Sequence, residues 1–297
     1  MTRDEFFEEA VNSDINIKEL PSIMKEFRKY QDDTMRTLKE FHRICEKCGI
    51  RYQLAFGSLL GAVRDGGQIP WDYDMDVIVP FDDRVKLLQA LQEELSSDFY
   101  YYTPEKDNDC PHYFIRIAPI NYDTAILHLD VFYVIGAPLK ECDRKKFDKN
   151  MKRFFSCRVY KSRKLFEFSG REFIKAFLYK SIISWIPLTW IDGKILDISN
   201  RYSLEKTKYC IPLFRVYSNI WFITEKLLDT KLIQNDYGTF RICKHYDHIL
   251  STLYGDYMKI YPLENRLREM IICYEHLSGK KVIWDRKSIR QSRYYIE

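Results

Sequence analysis

The chain has 297 residues, 46% of them hydrophobic and 30% charged, which makes it globular and large enough to bury a sizeable core as one large domain or two smaller ones. Its net charge of +4 is too small and too evenly spread to support nucleic-acid binding by bulk electrostatics, but it suits anionic small molecules or lipid head groups. The opening MTRDEFFEEAVNS is acidic and lacks the apolar core of a signal peptide, and no run reaches the eighteen or so apolar residues of a spanning helix. The expectation is therefore a cytoplasmic protein, at most peripheral at the inner face of the cell membrane.

Lys18 to Gly49 carries a long helical pattern, with Leu38, Phe41, Ile44, Cys45 and Cys48 on one face and Gly49 ending it. Cys45 and Cys48 form a C-x-x-C, but only His42 stands near them, so packing on the helix face is preferred to zinc. The other cysteines stand mostly singly, as reduced thiols do. Tyr52 to Phe56 reads as a first strand that delivers Gly57-Ser58 at its end. Gly57 lets backbone approach a ligand, Ser58 is placed to cap a short helix from Leu59 to Arg64, and Arg64 can grip a phosphate with its planar fork.

Asp74 to Pro80 reads as a strand, which puts Asp74 and Asp76 on one face. Two carboxylates so placed repel unless a cation sits between them or one takes a proton, and magnesium needs only one or two carboxylates plus phosphate oxygens. A solvated Asp-rich turn is the plainer reading, but these aspartates alternate with apolar residues bound for a core. A helix from Asp82 or Asp83 to about Ser96 follows, with Val85, Leu88, Leu91 and Leu95 expected inward, then strands at Phe99–Thr103, His112–Ala118 and Ile126–Ile135. Asp130 is alone in the last of these, where a carboxylate must be paired or bound to metal. A salt bridge with Arg116 or a lysine competes with a role as third metal ligand, and the metal role is preferred because the upstream pair lacks one. Arg116 is the better prospect for phosphate contact. His128 shares the face of Asp130, while His112 and His128 are both read as structural before catalytic.

Gly57-Ser58-Leu59-Leu60-Gly61-Ala62-Val63-Arg64 followed by Ile69-Pro70-Trp71-Asp72-Tyr73-Asp74-Met75-Asp76 resembles the signature of the LicD family of phosphocholine transferases, itself similar to the fukutin-related proteins. The family pattern is roughly GTLLGAVR and then IPWDDDID, so Ser58 stands for Thr, Tyr73 for Asp and Met75 for Ile. Tyr73 is expected to face away from the aspartate pair. Leu129-Asp130-Val131-Phe132 matches the core of the family's IDIF segment, and Tyr246-Asp247, Leu250 and Tyr254 to Met258 match its C-terminal block. Asn235-Asp236 replaces Phe-Glu in that block, and Asp236 receives no catalytic role.

The resemblance implies an α+β nucleotidyltransferase-like fold, with a mixed-sheet core over 1–140 and a mostly helical region over 141–297 that completes the active site. It implies two Mg2+ ions, or Mn2+, on Asp74, Asp76 and Asp130. Gly57, Ser58, Arg64 and Arg116 would meet the donor's phosphates. The implied reaction moves a phosphorylated alcohol from a CDP-activated form such as CDP-choline to a sugar hydroxyl of a cell-surface glycan, perhaps still lipid-linked, with release of CMP. Two alternatives stand beside it, a nucleotidyltransferase that uses a nucleoside triphosphate and an inactive binding subunit.

From Lys140 to Lys164 the chain is basic and helical. Residues 173–191, FIKAFLYKSIISWIPLTWI, are strongly apolar with two tryptophans, two lysines and a break at Pro187. A helix lying in a membrane interface and a helix buried in the C-terminal half fit this segment equally. Trp190 to Lys206 and Tyr246 to Met258 read as helices, the second breaking near Gly255.

Overall fold

The computed structural model describes residues 1–213 and 220–283, so 214–219 and 284–297 of the expected C-terminal region lie outside the described residues. Helix α1 (Arg3–Val11) starts at a capping box, in which the Thr2 side chain accepts from the Glu5 amide and Glu5 accepts from that of Thr2. The expected long helix is α2 (Leu20–Cys48), whose buried residues recur three and four apart from Leu20 through Phe27, Gln31, Leu38 and Phe41 to Cys45. One stripe of α2 thus faces the core over about 43 Å. Gly49 ends the helix at φ 62°, a conformation that favours glycine.

Strand β1 is only Gln53–Leu54, because the chain turns at Phe56 into the short helix α3 (Phe56–Leu60). A π-helical turn, Gly61–Asp65, leads through a loop to β2 (Met75–Pro80). Helix α4 (Arg84–Glu94) buries Leu87, Ala90 and Leu91, whereas Val85 is exposed, so its inward face is rotated from the one expected. The cause is a 3-10 turn at Phe81–Asp83 that buries Phe81 and resets the phase of the helix. Asp83 makes no side-chain cap and instead grips Arg51, at 2.9 Å from both Nε and Nη2.

Strands β3 (Phe99–Tyr102), β4 (Ile115–Pro119) and β5 (Leu129–Ala137) follow. The last begins later than its apolar run because Asp123 to Leu127 turn, with the amides of Ile126 and Leu127 on the carbonyl of Asp123. Helices α5 (Glu141–Ser162), α6 (Gly170–Ile183) and α7 (Leu188–Ser199) come next. Then come β6 (Tyr209–Pro212), β7 (Phe222–Ile223), α8 (Thr224–Leu228) and the hairpin of β8 (Thr230–Asn235) and β9 (Gly238–Cys243). Helices α9 (Tyr246–Tyr254) and α10 (Leu263–Ser278) complete the described chain, α9 stopping at Gly255 as its sequence predicts.

The fold is α+β, and its main sheet runs β1-β2-β5-β4-β3. β2 and β5 are parallel and every other pairing is antiparallel. β5 is flanked along one edge by β2; along the other, β4 covers its first half and β6 its second. Such a strand is closed to water on both edges, and accordingly Leu129, Val131, Tyr133 and Ile135 are all buried. Strands β6 and β7 therefore add pieces from beyond residue 200 to the same sheet.

The segment 173–191 is not a buried helix. α6 buries only Ala176 and Ile183, while Ile174, Phe177, Leu178 and Ile182 are exposed. Among the described residues no helix is long and apolar enough to cross a membrane. All eight cysteines are free, and Cys45 is fully buried on the core face of α2, as its packing role predicts.

Gly61 shows how tightly the region before β2 is folded. A Cβ there would stand 2.6 Å from the Gly67 carbonyl oxygen and 2.8 Å from the Ile69 amide, both backbone atoms that cannot yield separately. Gly61→Ala is expected to destabilise the protein by about 2 kcal/mol in chemical denaturation. Gly193→Ala in α7, where a Cβ meets nothing within 4 Å, is expected to be neutral or stabilising by up to about 1 kcal/mol.

Candidate active site

The parallel pairing of β2 with β5 sets Asp76 directly opposite Asp130, and the antiparallel pairing of β4 with β5 sets Arg116 on the other side of Asp130. Adjacent strands stand about 4.8 Å apart, so the three side chains form one row across the sheet. Asp130 Oδ1 accepts from Arg116 Nε at 3.0 Å and lies 3.3 Å from His128 Nε2. Burial works to raise the Asp130 pKa, but His128 and Arg116 together hold it below the ordinary carboxylate range. The competing salt bridge read from the sequence is thus present, and it involves His128 as well.

Asp74 and Asp76 behave oppositely. Burial pushes both well above the ordinary range, reinforced for Asp74 by Asp72 and Asp130 and for Asp76 by Asp74 and Asp130. Asp74 itself is exposed to solvent although the other aspartates crowd it. Asp72 is turned back on its own chain, its Oδ1 accepting from the Tyr73 amide at 2.8 Å and the Asp74 amide at 3.4 Å. It shapes the turn that presents Asp74. Tyr73 precedes β2, so strand alternation does not reach it, and its hydroxyl lies within electrostatic reach of Asp74, Asp72 and Arg116 where it was expected to face away.

The residues before the aspartates serve them differently from expectation. Ser58 does not cap a helix; the helix begins at Phe56 after Ala55, and Ser58 lies inside its first turn. Its buried hydroxyl accepts from the Asp76 amide at 2.6 Å and donates toward Met75 Sδ at 3.6 Å, fastening α3 to the start of β2. Gly57 lies beside Asp72, where a Cβ would come 3.7 Å from Oδ2. Phe56 holds φ 46°, which costs a non-glycine residue about 1–2 kcal/mol. Its ring packs edge-on against Phe132 of β5 at 5.7 Å. Such strain at a turn into a site is a common mark of function.

Arg64 is engaged within the chain and not open to a phosphate. Its buried guanidinium binds Asp65 at 2.7 Å and lies 5.4 Å from the Trp71 ring, over which Arg266 also stands at 5.5 Å. Trp71 is thereby in contact with two cations, just ahead of the aspartates. Gln31, on the buried stripe of α2, donates to the carbonyls of Ile69 at 3.3 Å, Pro70 at 3.1 Å and Asp72 at 2.7 Å. A polar residue amid Phe27, Tyr30, Thr34 and Leu38 was its only signal in the sequence.

Residues of the C-terminal part lie close to the same aspartates. Glu269 of α10 is pushed up to about 7, by burial first and then by the charge of Asp72, against a hydrogen bond from Trp71. Cys273, one turn on, feels Asp72 and Asp74. Tyr237, next to Asp236 at the tip of the β8–β9 hairpin, lays its ring against Gly67. On the basic side His112 stacks on Phe114 at 4.8 Å and is pushed down to about 3, by burial and then by Arg116.

Among the described residues no group of three or more His, Cys, Asp or Glu side chains is arranged to hold a metal ion as it stands. Asp130 is turned to Arg116 and His128, and Asp72 to backbone amides. The donor chemistry of Asp74 and Asp76 nonetheless fits a hard divalent cation: they are adjacent, mutually repelling carboxylates with no ion-pair partner among the described residues.

Residues 49–178 match the family model described as LicD/FKTN/FKRP, nucleotidyltransferase domain. The chain carries a LicD-family domain. Along most of its length it is similar to the lipopolysaccharide cholinephosphotransferase LicD of Haemophilus influenzae, with 24% identity over 258 residues, 80% of this chain and 94% of that protein. It is also similar to the human ribitol 5-phosphate transferase FKRP, 39% identical over 71 residues, which are 23% of this chain and only 14% of FKRP. Among solved structures, terminal uridylyl transferase 4 from Trypanosoma brucei with bound GTP aligns over 78% of this chain and 70% of its own, at 10% identity and a TM-score of 0.22, too low to speak to the fold. The LicD domain contains Gly57 to Arg64, the aspartates, Arg116 and Asp130, whereas Gln31, Tyr237, Glu269 and Cys273 lie outside it.

Two outcomes follow from this geometry. Gln31→Met removes the side-chain donor shared by three carbonyls of the LicD-domain loop, of which Ile69 keeps the Asp72 amide, and is expected to destabilise the protein by about 1–3 kcal/mol, read by denaturant titration. Asp74→Asn removes one of two crowded charges. Because the raised pKa means that the folded state disfavours the ionised form, the substitution is expected to raise the melting temperature of the metal-free protein at about pH 7.5, by an amount that solvent screening at the exposed Asp74 keeps small. An unchanged or lowered melting temperature would count against the crowding.

Proposed function

We propose that this chain transfers a phosphorylated alcohol, phosphocholine or a close relative, from a CDP-activated donor to a sugar hydroxyl of a cell-surface glycan, releasing CMP. The observation that carries the reading is the facing pair Asp76 and Asp130 with Asp74 two residues away, inside a LicD domain. Similarity to a cholinephosphotransferase over nearly that protein's whole length supports the choice of transferred group. Ribitol 5-phosphate, named for the more partial relative, is the second choice.

In this reading Asp74, Asp76 and Asp130 would hold Mg2+ or Mn2+, which when bound neutralises phosphate charge and makes the acceptor hydroxyl more acidic. The acceptor oxygen forms its bond to the phosphorus of the alcohol phosphate, the bond from that phosphorus to the bridging oxygen breaks, and CMP leaves with the electron pair. In this reading Asp130, held ionised by His128 and Arg116, takes the hydroxyl proton. Arg116, beside Asp130, is read as the side-chain cation for phosphate oxygens, and the amides of Gly57 and Ser58, in the first turn of α3, as the backbone donors. Arg64 keeps its structural pair with Asp65.

The test is CMP release from CDP-choline, CDP-ethanolamine, CDP-glycerol and CDP-ribitol, with an extracted glycan and magnesium present. One of them should be turned over, with activity lost on chelation and lowered by at least about a thousandfold in Asp76→Asn while the fold persists. Pyrophosphate release from a nucleoside triphosphate, with none of the four turned over, would move the assignment to nucleotidyl transfer.

A further inference from the structure

We infer that α6 with its flanking turns is a docking surface for an anionic phospholipid bilayer, lying in the plane of the interface. The hairpin of α5 and α6 has a small core of its own, separate from the main one, in which Ala176 and Ile183 meet Tyr160. The rest of α6 is apolar and uncovered. At 100° per residue Phe173, Ile174, Phe177, Leu178 and Ile182 fall on one half of the helix cylinder, opposite Ala176 and Ile183, and Trp185 stands in the turn just past the helix end. All six are exposed, Ile182 at 67% and Trp185 at 80%. Phe166, in the 3-10 turn before the helix, adds an aromatic ring at 79% exposure. This hairpin shows water more large apolar side chains than it buries, which a solvated face does not do.

Charge identifies the occupant. Between Lys161 and Trp185 there are six cations, Lys161, Arg163, Lys164, Arg171, Lys175 and Lys180, and two carboxylates, Glu167 and Glu172. Both carboxylates are already paired, with Arg163 at 3.0 Å and Lys175 at 2.7 Å. Arg171 and Lys175, one turn apart, border the apolar half on one side, and Lys180 borders it on the other. Long cationic side chains beside an apolar stripe reach up to lipid phosphates while the stripe enters the acyl boundary, and a tryptophan at the end of the stripe suits that depth. A protein partner would instead need an acidic rim around an apolar groove. The inference is independent of the transfer chemistry, since binding requires neither donor nor metal.

The test is co-sedimentation of the full chain with vesicles of phosphatidylcholine alone and of phosphatidylcholine with about one third phosphatidylglycerol. The wild type should partition onto the anionic vesicles at least about tenfold more strongly, with a blue shift in tryptophan emission that Trp185→Phe diminishes. Leu178→Glu with Ile182→Glu should cut binding by more than about tenfold with circular dichroism unchanged. Arg171→Gln with Lys175→Gln should remove most of the preference for the anionic lipid. Failure of the wild type to sediment with either vesicle, or equal binding by both double variants, would overturn the inference. So would light scattering that shows a dimer converted to monomer by Leu178→Glu with Ile182→Glu, which would make this face a self-interface.

Discussion

The facing of Asp76 and Asp130 on two parallel strands is the constraint on which the rest of the site depends. Parallel strands cannot be joined by a tight turn, so the chain must travel from Pro80 through α4, β3 and β4 before β5 can lie beside β2. That path places β4, and with it Arg116, on the far side of Asp130. The compensating cation is thus delivered by the same connection that creates the repulsion. A shift of one residue in the register of β2 against β5 would turn Asp76 toward Val77's face and put a charge into the packed side of the sheet, where Val77, Leu129 and Val131 are wholly buried. The apolar face therefore enforces the alignment of the polar one.

Holding carboxylates close costs stability, and the cost is met by a rigid approach. The loop from Gly61 to Asp72 closes on itself at Gly61, is hung from α2 by Gln31, and meets Arg64 and Arg266 at Trp71. Ser58 then fastens the end of that approach to the Asp76 amide. The resemblance of Gly57 to Asp76 to the LicD pattern acquires a physical meaning from these contacts. Arg64 and Ser58 fit their positions as fasteners whose polar atoms are already spent.

Asp76 was legible because it alternates with the buried Met75 and Val77 in β2, and a charge in the middle of an apolar strand announces itself at Asp130; Asp74 stands just before β2, where the turn at Asp72 and not strand alternation positions it. The α2 stripe was equally plain, since thirteen buried positions repeat its period. The tasks of Ser58, Arg64 and Val85 were not legible. Each depends on where a helix starts to within one or two residues, and here Phe56 enters α3 at positive φ and a 3-10 turn rotates α4. Gln31 and Glu269 were hidden for another reason, that a single polar residue on an amphipathic helix has no local sign to separate a solvated position from one aimed at a distant loop. The edge strands β6 to β9 are short and weakly alternating, and their pairing is set by β5 and by one another more than by their own composition.

The LicD domain ends at residue 178, yet groups beyond it act on the aspartates. Tyr237 on the β8–β9 hairpin packs against Gly67 of the loop before them, and Glu269 and Cys273 on α10 lie within electrostatic reach of Asp72. Glu269 is the telling one, because burial and the neighbouring Asp72 push its carboxyl up to about 7, which ties its charge to that of the aspartates. A segment from outside the matched domain is in this way electrically coupled to the groups inside it.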